Sequence, residues 1–111
     1  MTAGLEPFRR RLDTIDDEIA RLLGERFEIC REVALYKSAH GIPMMQPNRV
    51  DEVRARYLAR GAEADLPAAF SGELFDLLIA ATCKEEDELM ARVAAGSETG
   101  ARSENGGGTA A

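Results

Sequence analysis

Phe8, Leu12, Ile15, Ile19, Leu22, Arg26, Ile29, Val33 and Lys37 follow one another at steps of three or four residues. That recurrence is the signature of one face of an α-helix. Pro7 is tolerated in an opening turn, and His40-Gly41-Ile42-Pro43 reads as a closing turn, so a first helix is predicted over about residues 5–39. A second is predicted over about 48–60, with Gly61 as its C-terminal stop. A third is predicted over about 66–93, introduced by Asp65 and Pro67. The predicted fold class is all-α, one long helix and two shorter ones.

The length of the first helix carries an architectural consequence. About 35 residues at 1.5 Å each make roughly 50 Å, whereas a compact domain of about 100 residues has a radius of gyration near 13 Å. Two shorter helices leave part of that length uncovered. A second copy of the chain is the most economical cover, which predicts an intertwined homodimer.

Composition narrows the class. Residues 1–95 are read as one helical domain, and residues 96–111, which hold five of the ten glycines, as a disordered tail. The formal charge of -6 argues against nucleic acid despite the run Arg9-Arg10-Arg11. The longest aliphatic run, Leu77 to Ala81, is far shorter than the roughly 20 residues of a membrane span. With no basic and apolar leader at the N-terminus, a cytoplasmic location is expected, with Cys30 and Cys83 as reduced, buried small hydrophobes. His40 stands in a turn, and neither a metal-ligand spacing nor a cofactor motif is present, so no metal and no cofactor are expected.

Two positions of the first apolar stripe are basic. Arg26 and Lys37 are eleven residues apart, so they project on nearly the same azimuth with roughly 16 Å of rise between them, room for a small dianion. The bland alternative is that each lays its methylene stem on the core and puts its charge in water. The third helix carries the complementary anomaly. Its stripe reads Phe75, Ile79, Thr82, Glu86, Met90 and Val93, placing a hydroxyl and a carboxyl one turn apart on the buried face. Burial would raise the pKa of Glu86; the alternative is that it belongs to the solvated acidic run 85–88.

A long first helix bearing Arg9, Arg26 and Lys37, a loop ending in Arg49, and a Thr82/Glu86 pair on the third helix together resemble the all-helical (AroQ type) chorismate mutase family over about residues 5–93. The resemblance implies an intertwined homodimer with two equivalent pockets, each completed by an arginine from the partner, here matched by Arg9. It further implies that Arg26 and Arg9 bind the two substrate carboxylates, that Lys37 reaches a carboxylate and the ether oxygen, and that Glu86 donates to that ether oxygen. Thr82 matches a hydroxyl near the ring carboxylate, and Arg49 a loop position that contacts the site. The reaction, a Claisen rearrangement, needs a folded substrate and stabilised charge on the breaking C–O bond rather than a nucleophile.

The chain departs from the usual pattern at the end of the loop. Val50 stands where typical members carry a Glu that holds the C4 hydroxyl, and Gln46 where an acidic residue is common. The segment Gly41-Ile42-Pro43-Met44-Met45-Gln46-Pro47-Asn48-Arg49-Val50 is most similar to the 4-amino-4-deoxychorismate mutases of antibiotic pathways, which supply the p-aminophenylalanine route. Three alternatives stay open: a chorismate mutase with a relaxed C4 contact, an isochorismate-pyruvate lyase, and a noncatalytic helical interaction module in which Arg26 and Lys37 merely pair with Glu86 across the core.

Overall fold

The computed structural model describes residues 2–44 and 46–99, and the expected tail falls outside them from residue 100 onward. A 3-10 turn, Thr2–Leu5, leads into α1, Glu6–His40; α2 spans Pro47–Glu63 and α3 spans Ala68–Thr99. Among the described residues there is no strand, and the class is all-α as predicted. The helix α3 outruns the expected end near Val93 by about a turn and a half.

Each boundary has a local cause. Gly41 adopts the left-handed conformation, φ 64°, that a side chain resists, and the Ile42 N–H closes back on the Lys37 carbonyl at 3.0 Å, ending α1. Pro47 opens α2, where its missing N–H costs nothing. The end of α2 differs from the expectation. Gly61 is inside the helix, and the left-handed residue is Asp65, φ 65°. The Leu66 N–H reaches the Gly61 carbonyl at 2.9 Å and the Asp65 N–H reaches the Ala62 carbonyl at 3.0 Å, the bond pair of a Schellman cap. The Pro67 carbonyl then accepts the Ser71 N–H at 3.1 Å and starts α3.

Gly61 is a glycine for a tertiary reason instead. A Cβ there would collide with Ser71 Oγ, so its bare backbone lets α2 and α3 approach closely. The two helices are also tied by Arg54 and Asp76, 3.0 Å apart, while Arg31 of α1 meets Glu85 of α3 at 2.6 Å. The centre of the molecule is α3, which packs on both α1 and α2; α1 and α2 do not pack on each other. Its buried line is Ser71, Phe75, Leu78, Thr82 and Glu86, with Phe75 tilted against Tyr57 at 5.1 Å between ring centres. Leu78 enters this line, and Val93, expected there, is exposed.

The first stripe divides in two. Between Arg26 and Lys37, Ala34 is buried and Cys30 and Val33 are half-buried, whereas Ile29 is 57% exposed. The reason is that α3 approaches α1 from one side only, and Cys30 rather than Ile29 lies on the line joining Arg26 to Val33. Nearer the N-terminus, Phe8, Leu12, Ile15, Ile19 and Leu22 are all about half exposed. The chain is correspondingly elongated, 63 × 32 × 18 Å, with a radius of gyration of 18.7 Å. A compact chain of this length would have about 13 Å.

Candidate active site

A cavity of about 290 Å³ opens where the C-terminal half of α1, the start of α2 with its preceding loop, and the middle of α3 meet. From α1 come Arg26, Cys30 and Lys37, from α3 come Thr82, Cys83 and Glu86, and Gln46, Arg49 and Val50 line the remaining side. Seven of the eight residues singled out from the sequence thus share one cavity. The eighth, Arg9, is exposed on the N-terminal half of α1 beside Glu6 at 3.7 Å. Seventeen residues of helix, about 25 Å, separate it from Arg26 of its own chain.

Among the described residues neither of the two α1 cations in the cavity is in an ion pair. Among the described residues Arg26 approaches the weak acceptor Cys30 Sγ, at 3.9 Å, and no stronger one. Lys37 Nζ donates to the Met44 carbonyl at 2.8 Å, and among the described residues no ion pair links Arg26, Lys37 or Glu86. Direct ion pairs of the two cations with Glu86 across the core are therefore not formed, although both cations act on its carboxyl at longer range. Arg49, exposed at the mouth, is paired with Glu52 at 2.9 Å.

Glu86 is 8% exposed, so it does not belong to the solvated acidic run. Burial pushes its carboxyl pKa up; Lys37 pulls it down, Asp87 adds to the rise and Arg26 opposes it. The net direction is upward, toward a neutral carboxylic acid able to donate a hydrogen bond. Burial likewise raises the Cys30 and Cys83 thiols, which favours the neutral thiol over the nucleophilic thiolate.

Two polar side chains are held by backbone carbonyls. Thr82 is 4% exposed and donates its hydroxyl proton to the Leu78 carbonyl at 2.9 Å, so in this state it offers the cavity a lone pair. Gln46 donates from Nε2 to the Pro43 carbonyl at 2.8 Å, which leaves its Oε1, an acceptor, and its second N–H without a partner among the described residues. His40 sits apart, exposed, its ring stacked on Tyr36 and its Nδ1 against the Tyr36 carbonyl at 2.9 Å.

Sequence reasoning missed several lining groups. Cys30 was legible as a neighbour, four residues after Arg26 and seven before Lys37, one helical face. The Met44 carbonyl was not, because a loop carbonyl leaves no trace in a side-chain pattern. The assembled site is a small recess presenting two cations, a third at the mouth and one buried carboxyl whose pKa burial raises. Such a recess can bind a dianion and stabilise negative charge as it develops on an oxygen.

Residues 8–98 match the family model for chorismate mutase type II. The chain belongs to the type II chorismate mutases. It is accordingly an enzyme of the isomerase class. Among its relatives, a 4-amino-4-deoxychorismate mutase of Streptomyces pristinaespiralis is 37% identical over 90 residues, 81% of this chain and 70% of that protein. A protein of the same name from Streptomyces venezuelae is 36% identical over 88 residues, 79% of this chain and 85% of that one. A chorismate mutase of Methanocaldococcus jannaschii is 29% identical over 79 residues, 71% and 80% of the two chains. No solved structure gave a significant match.

Proposed function

We propose that this type II chorismate mutase rearranges 4-amino-4-deoxychorismate to 4-amino-4-deoxyprephenate, on a route to p-aminophenylalanine and antibiotics. The observation that carries the reading is that one cavity holds two cations outside any ion pair and a buried carboxyl, with Val50 in its lining where the resemblance places a carboxylate in typical members. Similarity to the two Streptomyces enzymes supports the choice of substrate.

In the reaction the ether C–O bond breaks as a C–C bond forms between the enolpyruvyl carbon and the ring, with no net gain or loss of atoms. Arg26, together with Arg9 of the partner subunit, holds the two carboxylates and so selects the folded conformer. Lys37 exchanges its bond to the Met44 carbonyl for a carboxylate and the ether oxygen. Neutral Glu86 donates to the same oxygen, where charge accumulates in the transition state. Thr82 lies beside the ring carboxylate and Arg49 closes the mouth.

At C4 the substrate carries an ammonium, which only donates. The free Oε1 of Gln46 is an acceptor, and Val50 offers no competing partner. A homodimer is supported by the half-exposed face Phe8-Leu12-Ile15-Ile19-Leu22, which a second α1 would cover while delivering Arg9 of the partner subunit. The deciding experiment is a parallel assay with chorismate, isochorismate and 4-amino-4-deoxychorismate, with products identified. Preferred turnover of the amino substrate is expected. Prephenate formed from chorismate at higher kcat/KM, or pyruvate released from isochorismate, would overturn the choice.

A further inference from the structure

The α1–α3 seam that carries the catalytic cavity is joined by one ion pair among the described residues, Arg31 of α1 with Glu85 of α3 at 2.6 Å. Arg31 also meets Glu28 of its own helix at 3.2 Å, so its guanidinium is held by two carboxylates. Arg31 and Glu85 are both half-buried, and neither lines the cavity. Each is instead the immediate neighbour of a residue that does. Arg31 follows Cys30 and Glu85 precedes Glu86, about 100° around their helices from the cavity-facing positions.

Glu86 is surrounded by charged and titratable groups from every helix. Arg26, Lys37 and the Cys30 thiol face it from α1, Arg49 stands at the mouth on α2, and Cys83, Glu85 and Asp87 are its neighbours on α3. The two acidic neighbours differ in one respect. Asp87 is exposed and in no ion pair among the described residues, and its charge adds to the rise in the Glu86 pKa. Glu85 bears the same formal charge one residue to the other side, where Arg31 balances it. A carboxylate beside a buried carboxyl disfavours its ionisation and a cation favours it, so the charge that Arg31 balances would otherwise act on Glu86.

We propose that Arg31 and Glu85 are positioning residues for the reaction, acting through Glu86: the pair holds α3 to α1 beside the cavity and cancels the charge next to the acid. The inference rests on the reading in which Glu86 donates to the ether oxygen. Loss of either partner leaves the other's charge standing beside Glu86, and the two charges are opposite in sign. One unit charge about 10 Å away through water moves a carboxyl by about 0.3 pH unit. The two single variants therefore act on Glu86 in opposite directions, whereas a bond that merely tied two helices would give both the same effect.

The test follows the Glu86 carboxyl by ¹³C NMR in the full-length protein carrying ¹³C-labelled glutamate, with its signal assigned by Glu86→Gln. At about 10 mM salt, where the Debye length is about 30 Å, Arg31→Gln should raise the Glu86 midpoint by about 0.3 pH unit and Glu85→Gln should lower it by a similar amount. The double variant should return to the wild-type midpoint, and Arg31→Lys, which keeps the charge, should leave it in place. Raising the salt to about 1 M should shrink both shifts. The alkaline limb of kcat should move with the midpoint in each variant. Shifts of the same sign, or none at low salt, would overturn the proposal even if the variants melt lower. A Glu86 midpoint that responds as expected while turnover stays flat across it would leave the action of the pair on Glu86 standing and overturn the donor reading instead.

Discussion

Arg26, Lys37 and Glu86 are tested separately because they are unpaired. Removing a cation that is in no ion pair strands no opposite charge, and Lys37→Ala frees only the half-buried Met44 carbonyl, so Arg26→Ala and Lys37→Ala should melt close to the wild type while losing orders of magnitude in turnover, about 2.7–4 kcal/mol of barrier. Thermal melts beside steady-state kinetics check this; a folded variant with near-native turnover would refute the anion site. Glu86 makes a prediction about stability as well as rate. Burial raises its folded carboxyl pKa above the unfolded value, so the fold favours the neutral form. Its contribution is full below the ordinary carboxyl value, about 4.3, and is lost as pH rises through the raised value. Glu86→Gln should therefore melt higher than wild type at pH 8, with the gap closing toward pH 4. If the neutral acid is the working donor, wild-type activity falls on the alkaline side and Glu86→Gln flattens that limb, because an amide donates at every pH. Glu86→Ala with undiminished turnover would remove the residue from the reaction. The azimuth shared by Arg26 and Lys37 was readable from spacing alone; the hydrogen bonds that hold Gln46 and Thr82 were not, since they end on backbone carbonyls.

The junction of α2 with α3 shows how an element boundary escapes sequence reasoning. Glycine near a helix end usually means a left-handed cap, and Gly61 was read that way. The cap is Asp65, and Gly61 is kept bare by Ser71 across the interface. Gly61→Ala should then destabilise the protein by about 1–3 kcal/mol through overpacking, despite alanine's better helix propensity. Adding Ser71→Ala removes the colliding oxygen and should recover part of that loss, because the two positions touch and their effects do not add. Urea unfolding of the two single variants and the double variant measures the coupling. Additive losses would mean that the close approach is not the reason for the glycine.

The shape of the chain, 63 Å long with five large apolar side chains half exposed along one end of α1, is poor for a monomer. The same face, self-paired about a two-fold axis, would bury that stripe and carry Arg9 toward the cavity of the other copy. Ile15→Asp with Ile19→Asp should convert the dimer to a monomer or prevent folding. Arg9→Ala should remain dimeric, yet lose activity. Sedimentation of each variant at micromolar concentration, with turnover measured on the same samples, checks both. A wild-type chain that sediments as a stable, active monomer would refute this assembly.

Periodicity by itself determined three helices, their order, and the face on which Arg26, Lys37, Thr82 and Glu86 lie, because an amphipathic helix writes its geometry into spacing. The length of α1 likewise implied a chain too long to be covered by its own two shorter helices. Only the tertiary structure decided that Cys30 and Ala34 rather than Ile29 meet α3, that Gly61 serves packing rather than termination, and that Lys37 rests on a loop carbonyl. It also decided that the cations and Glu86 share a cavity without a direct ion pair between them among the described residues. Those outcomes depend on how one helix sits against the next and on where backbone carbonyls point, and neither is encoded in the period of a single helix.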